Sequence, residues 1–174
     1  VSNCVVLSSL ITGQFTGEVF SKQNWNSKLN DYWESQNPEQ LINRFISSLS
    51  TGETLNSLNL QKIYIITSNQ SASASELLIN GLDSHIQVIK VGDKTVGKNV
   101  ASITVYDYID NDGNKNPNHT FAMQPIVLAI ENSDGFSDYQ DGLEPDHFIK
   151  EISNNMGILG GVSDPLLLKT INII

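Results

Sequence analysis

The run Ile63, Tyr64, Ile65, Ile66 and Thr67 constrains this chain more than any other stretch. Consecutive β-branched and aromatic residues leave no polar face for water, so the run predicts a strand buried on both faces of a sheet. Ser68, Asn69 and Gln70 end it with a polar turn. Ser73 and Glu76 then have the spacing of a capping box, ahead of Leu77, Leu78, Ile79 and Leu82 on a helix. Residues 86–91 supply a second buried strand. Strand, helix and strand with short connections form a βαβ unit, which implies a parallel sheet and an α/β domain.

Around this unit the chain reads less sharply. Residues 101–108 and 121–130 read as strands joined by a turn-rich hairpin loop over 110–119, and Asp164 caps a closing helix over 165–174. Upstream, residues 5–11 suit a strand or a short helix, and 17–20 a short strand. Residues 23–36 are polar but carry Trp25, Tyr32 and Trp33, which predicts an irregular excursion anchored by its aromatics. Asn37, Pro38 and Glu39 open a helix whose apolar stripe is Leu41, Ile42, Phe45, Ile46 and Leu49. The whole, 1–174, is read as a single domain, and its start at Val1 without Met as a piece of a longer protein.

Composition narrows the partners. Ten Lys and Arg against nineteen Asp and Glu give a formal charge of −9. That balance argues against nucleic acid and against an anionic membrane surface, both of which need a basic face. The one cysteine, Cys4, excludes an internal disulfide and a multi-Cys zinc site, and reads as a buried structural thiol.

Chemistry concentrates between residues 63 and 102. A serine at the carboxyl end of a strand and the head of a helix has unpaired N–H groups beside it, suited to a developing oxyanion. Ala72 and Ala74 leave room for a substrate to approach the backbone. Taken alone, Ser73 with Glu76 is an ordinary helix cap; a nucleophile can occupy the same place. Lys98, in the glycine-flanked turn 92–99, is the candidate base. Burial would lower its pKa and let a neutral amine take the serine proton, whereas an isolated lysine is by default a surface residue. The same turn nearly matches a phosphate-binding loop. Asn99 stands where the hydroxyl belongs, however, and a strand follows instead of a helix, which disfavours nucleotide binding.

His85, His119 and His147 lack zinc-site spacing; His85 and His119 read as solvated loop residues, and a triad with Ser73 stays open. Asp110, Asp112 and Asn114 resemble a calcium loop whose closing Glu is replaced by His119, so a hairpin turn is the better reading. Asp134, Asp138, Asp141, Glu144 and Asp146 read as solvated loop charges. No metal site is expected.

Ser71-Ala72-Ser73-Ala74-Ser75-Glu76, then Val91-Gly92 and Thr95-Val96-Gly97-Lys98, resemble the core of the C-terminal processing (tail-specific) serine peptidases. Ser133-Asp134-Gly135, Asp138-Tyr139, Asp141-Gly142 and Glu144-Pro145-Asp146 resemble the closing segment of the same domain. The resemblance implies a crotonase-like α/β core (a ββα superhelix), here lacking upstream strands and any PDZ domain. It also implies Ser73 as nucleophile, Lys98 as general base and the Ala74 N–H as an oxyanion donor. The expected activity is peptide-bond hydrolysis through an acyl-enzyme, with a peptide or protein substrate, no cofactor, and an envelope location. Two positions depart from the family: Asn99 replaces the usual Gly, and Ser102 stands where a lysine-orienting Gln is common. The Ser102 departure favours the alternative of a catalytically silent peptide-binding or scaffold domain on the same fold.

Overall fold

The structure, a computed structural model, describes residues 1–152, 154 and 156–174. Its elements in order are α1 (Ser2–Ile11), a 3-10 turn (Gly13–Phe15), β1 (Val19–Trp25), α2 (Ser27–Gln36), a second 3-10 turn (Pro38–Leu41) and β2 (Ile42–Arg44). There follow β3 (Lys62–Thr67), α3 (Ala74–Asp83), β4 (Gln87–Gly92), β5 (Val100–Ser102), β6 (Val105–Tyr106), β7 (Ala122–Met123), β8 (Ile126–Asn132), β9 (His147–Phe148) and α4 (Pro165–Ile171).

The expected βαβ unit is present. β3 and β4 pair in parallel from Lys62 opposite Gln87 to Thr67 opposite Gly92, and β9 extends this sheet in parallel on the far side of β4. An antiparallel sheet of order β2-β1-β8-β5 forms the second layer, and β6 with β7 makes a separate hairpin. Helix α3 touches β4 in one sheet and β1 and β8 in the other. Its buried Leu77, Ile79 and Leu82 join Phe20, Phe45, Val88, Leu128 and Ile130 in the core. This makes a mixed α/β fold whose central helix starts at Ser73. No helix among the described residues is long and apolar enough to cross a membrane.

Several expectations are corrected. β3 is an edge strand and is not buried on both faces; Ile66 stays 42% exposed. Of the two readings left open for 5–11, the helix holds and runs over Ser2–Ile11; its buried face includes Ser8 and Ser9, so its amphipathic period is hidden in the sequence. The stretch 23–36 is regular: it ends β1 and forms α2, capped by the Asn26 side chain, which accepts from the Leu29 N–H. α2 has no buried residue, and Tyr32 is 53% exposed against Trp33 and does not anchor in the core. The helix expected after Pro38 is only a 3-10 turn followed by β2. Pairing with β1 captures its backbone, and the bidentate Arg44–Glu39 contact at 2.9 and 2.8 Å folds the turn back on the strand.

Candidate active site

The parallel register brings two separated turns to one edge. β3 and β4 end opposite each other, so the chain leaves the sheet twice at the same place. One exit is the 68–73 turn into α3, and the other is the 93–99 turn into β5. The Val96 N–H donates to the Ser71 carbonyl at 2.9 Å and ties the exits together.

Ser73 occupies the head of α3 with φ +58° and ψ −108°. An ordinary N-cap is extended, with negative φ; a serine forced into this region carries on the order of 1–3 kcal/mol of strain. The Ser73 N–H donates to Glu76 Oε2 at 2.7 Å, but the reverse contact, Glu76 N–H to the Ser73 hydroxyl, closes only loosely, without an aligned hydrogen bond. Such a sharp, strained strand-to-helix turn is how α/β hydrolases expose a nucleophilic hydroxyl. The next N–H, that of Ala74, has no hydrogen-bond partner among the described residues. The Ala74 carbonyl is held from behind by the buried Cys4 thiol at 3.2 Å, as expected for a structural cysteine. Burial pushes that thiol above its ordinary pKa and keeps it protonated.

Glu76 organises the site, and sequence spacing exposed only its capping role. Its side chain is fully buried and accepts four hydrogen bonds. Besides Ser73, the donors are the Thr95 hydroxyl at 2.6 Å, the Gly97 N–H at 2.5 Å and the Lys98 N–H at 2.8 Å. One carboxyl group therefore fastens the serine turn to the lysine turn. No local periodicity could reveal donors some twenty residues away.

Ser73, Ala74, Lys98 and Tyr139 line one cavity of about 130 Å³, with Leu77, Val100 and Ile130 as apolar walls. The two expected dyad residues thus share a cavity, without a hydrogen bond between Ser73 and Lys98. The expected withdrawal of the lysine from water is corrected: Lys98 is exposed. The fold holds its backbone N–H, while its side chain has no hydrogen bond or ion pair among the described residues. Asn99 is buried, and its amide donates to the Ser137 carbonyl at 2.6 Å, work that a glycine could not do. Ser102 ends β5 after an irregularity in the register with β8, is exposed, and does not line the cavity.

The other candidates lie elsewhere. The three histidines are not in the cavity lining. His85 is corrected from solvated to buried: its Nε2 meets the Val19 carbonyl at 2.9 Å, and its ring packs between Phe15 and Phe45. The short link from α3 to β4 tucks it against β1. His119 faces Asp107 at 3.2 Å in the hairpin loop. Asp110 closes a local turn by accepting from Asp112 and Asn114. Of the later acids, Asp146 pairs with Lys90 at 3.0 Å and Glu144 with Lys94 at 2.7 Å. Among the described residues no group of three His, Cys, Asp or Glu side chains is arranged to hold a metal.

No family model and no curated protein matches the sequence. Solved structures do. A protein assigned as an S41 protease from Bacteroides fragilis superposes with a TM-score of 0.76 at 20% identity over 99% of this chain and 40% of its own. The photosystem II D1 C-terminal processing protease matches with a TM-score of 0.56 at 16% identity, covering 93% of this chain and 34% of that one. A lipoprotein from Streptococcus agalactiae follows with a TM-score of 0.51 at 12% identity over 96% and 46%. The chain spans less than half the length of each of these structures. The likeness extends over nearly the whole chain, and the mixed α/β fold is similar to that of an S41 protease and of a C-terminal processing protease, the family that the serine and lysine motifs resemble.

Proposed function

We propose that this chain is the serine endopeptidase domain, with a crotonase-like core, of a longer protein. Ser73 Oγ attacks the scissile carbonyl carbon while its proton passes to Lys98 Nζ. The tetrahedral oxyanion takes a hydrogen bond from the Ala74 N–H, which has no partner among the described residues and lies at the positive end of α3. Collapse breaks the C–N bond, and the amine leaves with the proton from Lys98. Water then releases the acyl group by the same transfers. Ser102 has no part in this scheme, because it lies outside the cavity lining. The observation that carries the reading is Ser73, held at φ +58° in the same cavity as Lys98. Its substrate is a peptide or protein, and the lipoprotein neighbour supports a place in the cell envelope.

Cleavage of an unstructured protein such as casein by the full chain tests it. Ser73→Ala and Lys98→Met should each lower kcat by about 10³-fold or more while the fold persists. Comparable turnover in either variant would remove the dyad. A second reading, a silent peptide-binding domain, draws on the exposed Lys98 and the missing Ser73–Lys98 hydrogen bond. A folded wild type that binds peptides without cutting them would establish that reading instead.

A further inference from the structure

We infer that Tyr139 is the positioning residue of the proposed dyad: its hydroxyl, built onto the Lys98 turn, holds the lysine amine so that the lone pair faces Ser73. The inference rests on the Ser/Lys reading above.

A lysine base ends in an amine on a flexible four-carbon stem, so a third group must fix its rotation, as in any nucleophile–base pair. Besides Ser73 and Lys98, two polar side chains line the cavity, Asn99 and Tyr139. Asn99 gives an amide N–H to the Ser137 carbonyl, which fixes its side chain toward the 137–139 loop and leaves Tyr139 as the hydroxyl of the pair. Tyr139 is 3% exposed as a residue, and its hydroxyl, which has no hydrogen-bond partner among the described residues, is not one of the sealed polar atoms of the core; the ring lines the cavity. A phenol packed this deeply usually pairs its hydroxyl, so one left without a protein partner beside the cavity is available to a group inside it.

Its placement relative to Lys98 is fixed by the backbone on both sides. Asn99, the residue after the lysine, holds Ser137, two residues before the tyrosine, at 2.6 Å. Thr95 and Leu143 exchange two hydrogen bonds, Leu143 N–H to the Thr95 hydroxyl at 2.8 Å and Thr95 N–H to the Leu143 carbonyl at 3.2 Å. Between these clasps the strands of loop approach so closely that a Cβ at Gly97 would overlap the Gln140 carbonyl, and one at Gly142 the Thr95 carbonyl. Both glycines also have positive φ, +97° and +95°. The tyrosine loop and the lysine turn are thus packed backbone to backbone and clasped at both ends. Burial, with the negative field of Glu76 added, pushes the phenol up to about 12. Across the neutral range it keeps its proton, and an oxygen lone pair is available to accept one N–H of the amine.

The test is Tyr139→Phe in the full chain, read as kcat and KM against pH for peptide cleavage and as the rate at which a fluorophosphonate modifies Ser73. The expected result is a kcat and a labelling rate lowered about 10- to 100-fold, with KM little changed. The acid limb of the rate profile should also move down by a few tenths of a pH unit, because the ammonium loses an acceptor. The unfolding midpoint should hold, since the hydroxyl has no partner among the described residues. Wild-type rates and profile in Tyr139→Phe, beside an inert Lys98→Met, would overturn this role and leave the dyad standing. A rise in KM alone would assign the hydroxyl to substrate and overturn it too. A wild type inert to both peptide and fluorophosphonate would remove the dyad and this role together.

Discussion

The turn over 93–99 and the loop over 107–119 are built from the same kinds of residue, Asp, Asn, Lys and Gly, and are held in opposite ways. In the loop the acceptors are its own. Asp110 takes the N–H groups of Asp112 and Asn114 at 3.0 and 3.1 Å, and Asp107 takes the Asn116 amide at 2.7 Å. In the turn one local acceptor, Asp93, takes the Lys94 N–H, but three donors go to Glu76, on another element and fully buried, and the Val96 N–H goes to Ser71. Local acceptors fix the shape of a segment. A remote buried acceptor fixes where the segment sits relative to the rest of the molecule, which is what a base beside a nucleophile requires.

The contrast is tested most severely at its centre. Glu76→Ala strands four donors, three of them backbone N–H groups that no side-chain rotation can rescue. An unpaired buried donor costs about 1–3 kcal/mol, and some of the four will reach water through the space left behind. We expect a loss of about 3–5 kcal/mol in denaturant unfolding, with faster amide exchange at Gly97 and Lys98 than elsewhere in the core. A loss below about 1 kcal/mol would show that the two turns are held by something else.

This asymmetry also explains what could be read from sequence. β3, α3 and β4 were legible because each states its structure locally, by a β-branched run or by a helical stripe behind a cap. α2 was not, because it buries nothing, and β2 was not, because its pairing with β1 outweighed a helical stripe running from Leu41 to Leu49. At the proposed site, motif and order singled out Ser73 and Lys98, which line one cavity. Ser73's positive φ, Glu76's remote donors and the place of Tyr139 beside them were not legible, since each depends on which loops the folded sheets bring together. Ser102 illustrates the opposite limit: a position counted along the strand from Lys98 carries no information about whether the side chain reaches the cavity.

The braced region should also announce itself at alkaline pH. Tyr139 titrates higher than an unfolded tyrosine, first because it is buried and second because Glu76 faces it. A raised folded-state pKa means stability that is complete below pH ~10, the unfolded value, and is lost as pH rises through about 12. The loss should be on the order of 2 kcal/mol across that window, followed by chemical denaturation. Tyr139→Phe should flatten it. An alkaline decline as steep in the variant as in the wild type would place the responsible groups elsewhere and remove Tyr139 from the braced region.

The smallest effect belongs to the loop. Asp110 lies outside the protein interior, and its pKa is held below the usual carboxylate range by the Asn114 side chain first and by backbone N–H groups after it. Every donor it serves is within four residues and open to water, so water can replace it in Asp110→Ala without leaving a buried group unpaired. The expected outcome is faster exchange at the Asp112 and Asn114 amides with no resolvable shift in the global unfolding midpoint. The hairpin it decorates leaves Phe121 and Met123 exposed, so its loop has little core to unsettle. A midpoint shift comparable to that of Glu76→Ala would mean that the loop, too, is tied to the body of the fold, and the distinction between shaping a segment and placing it would collapse.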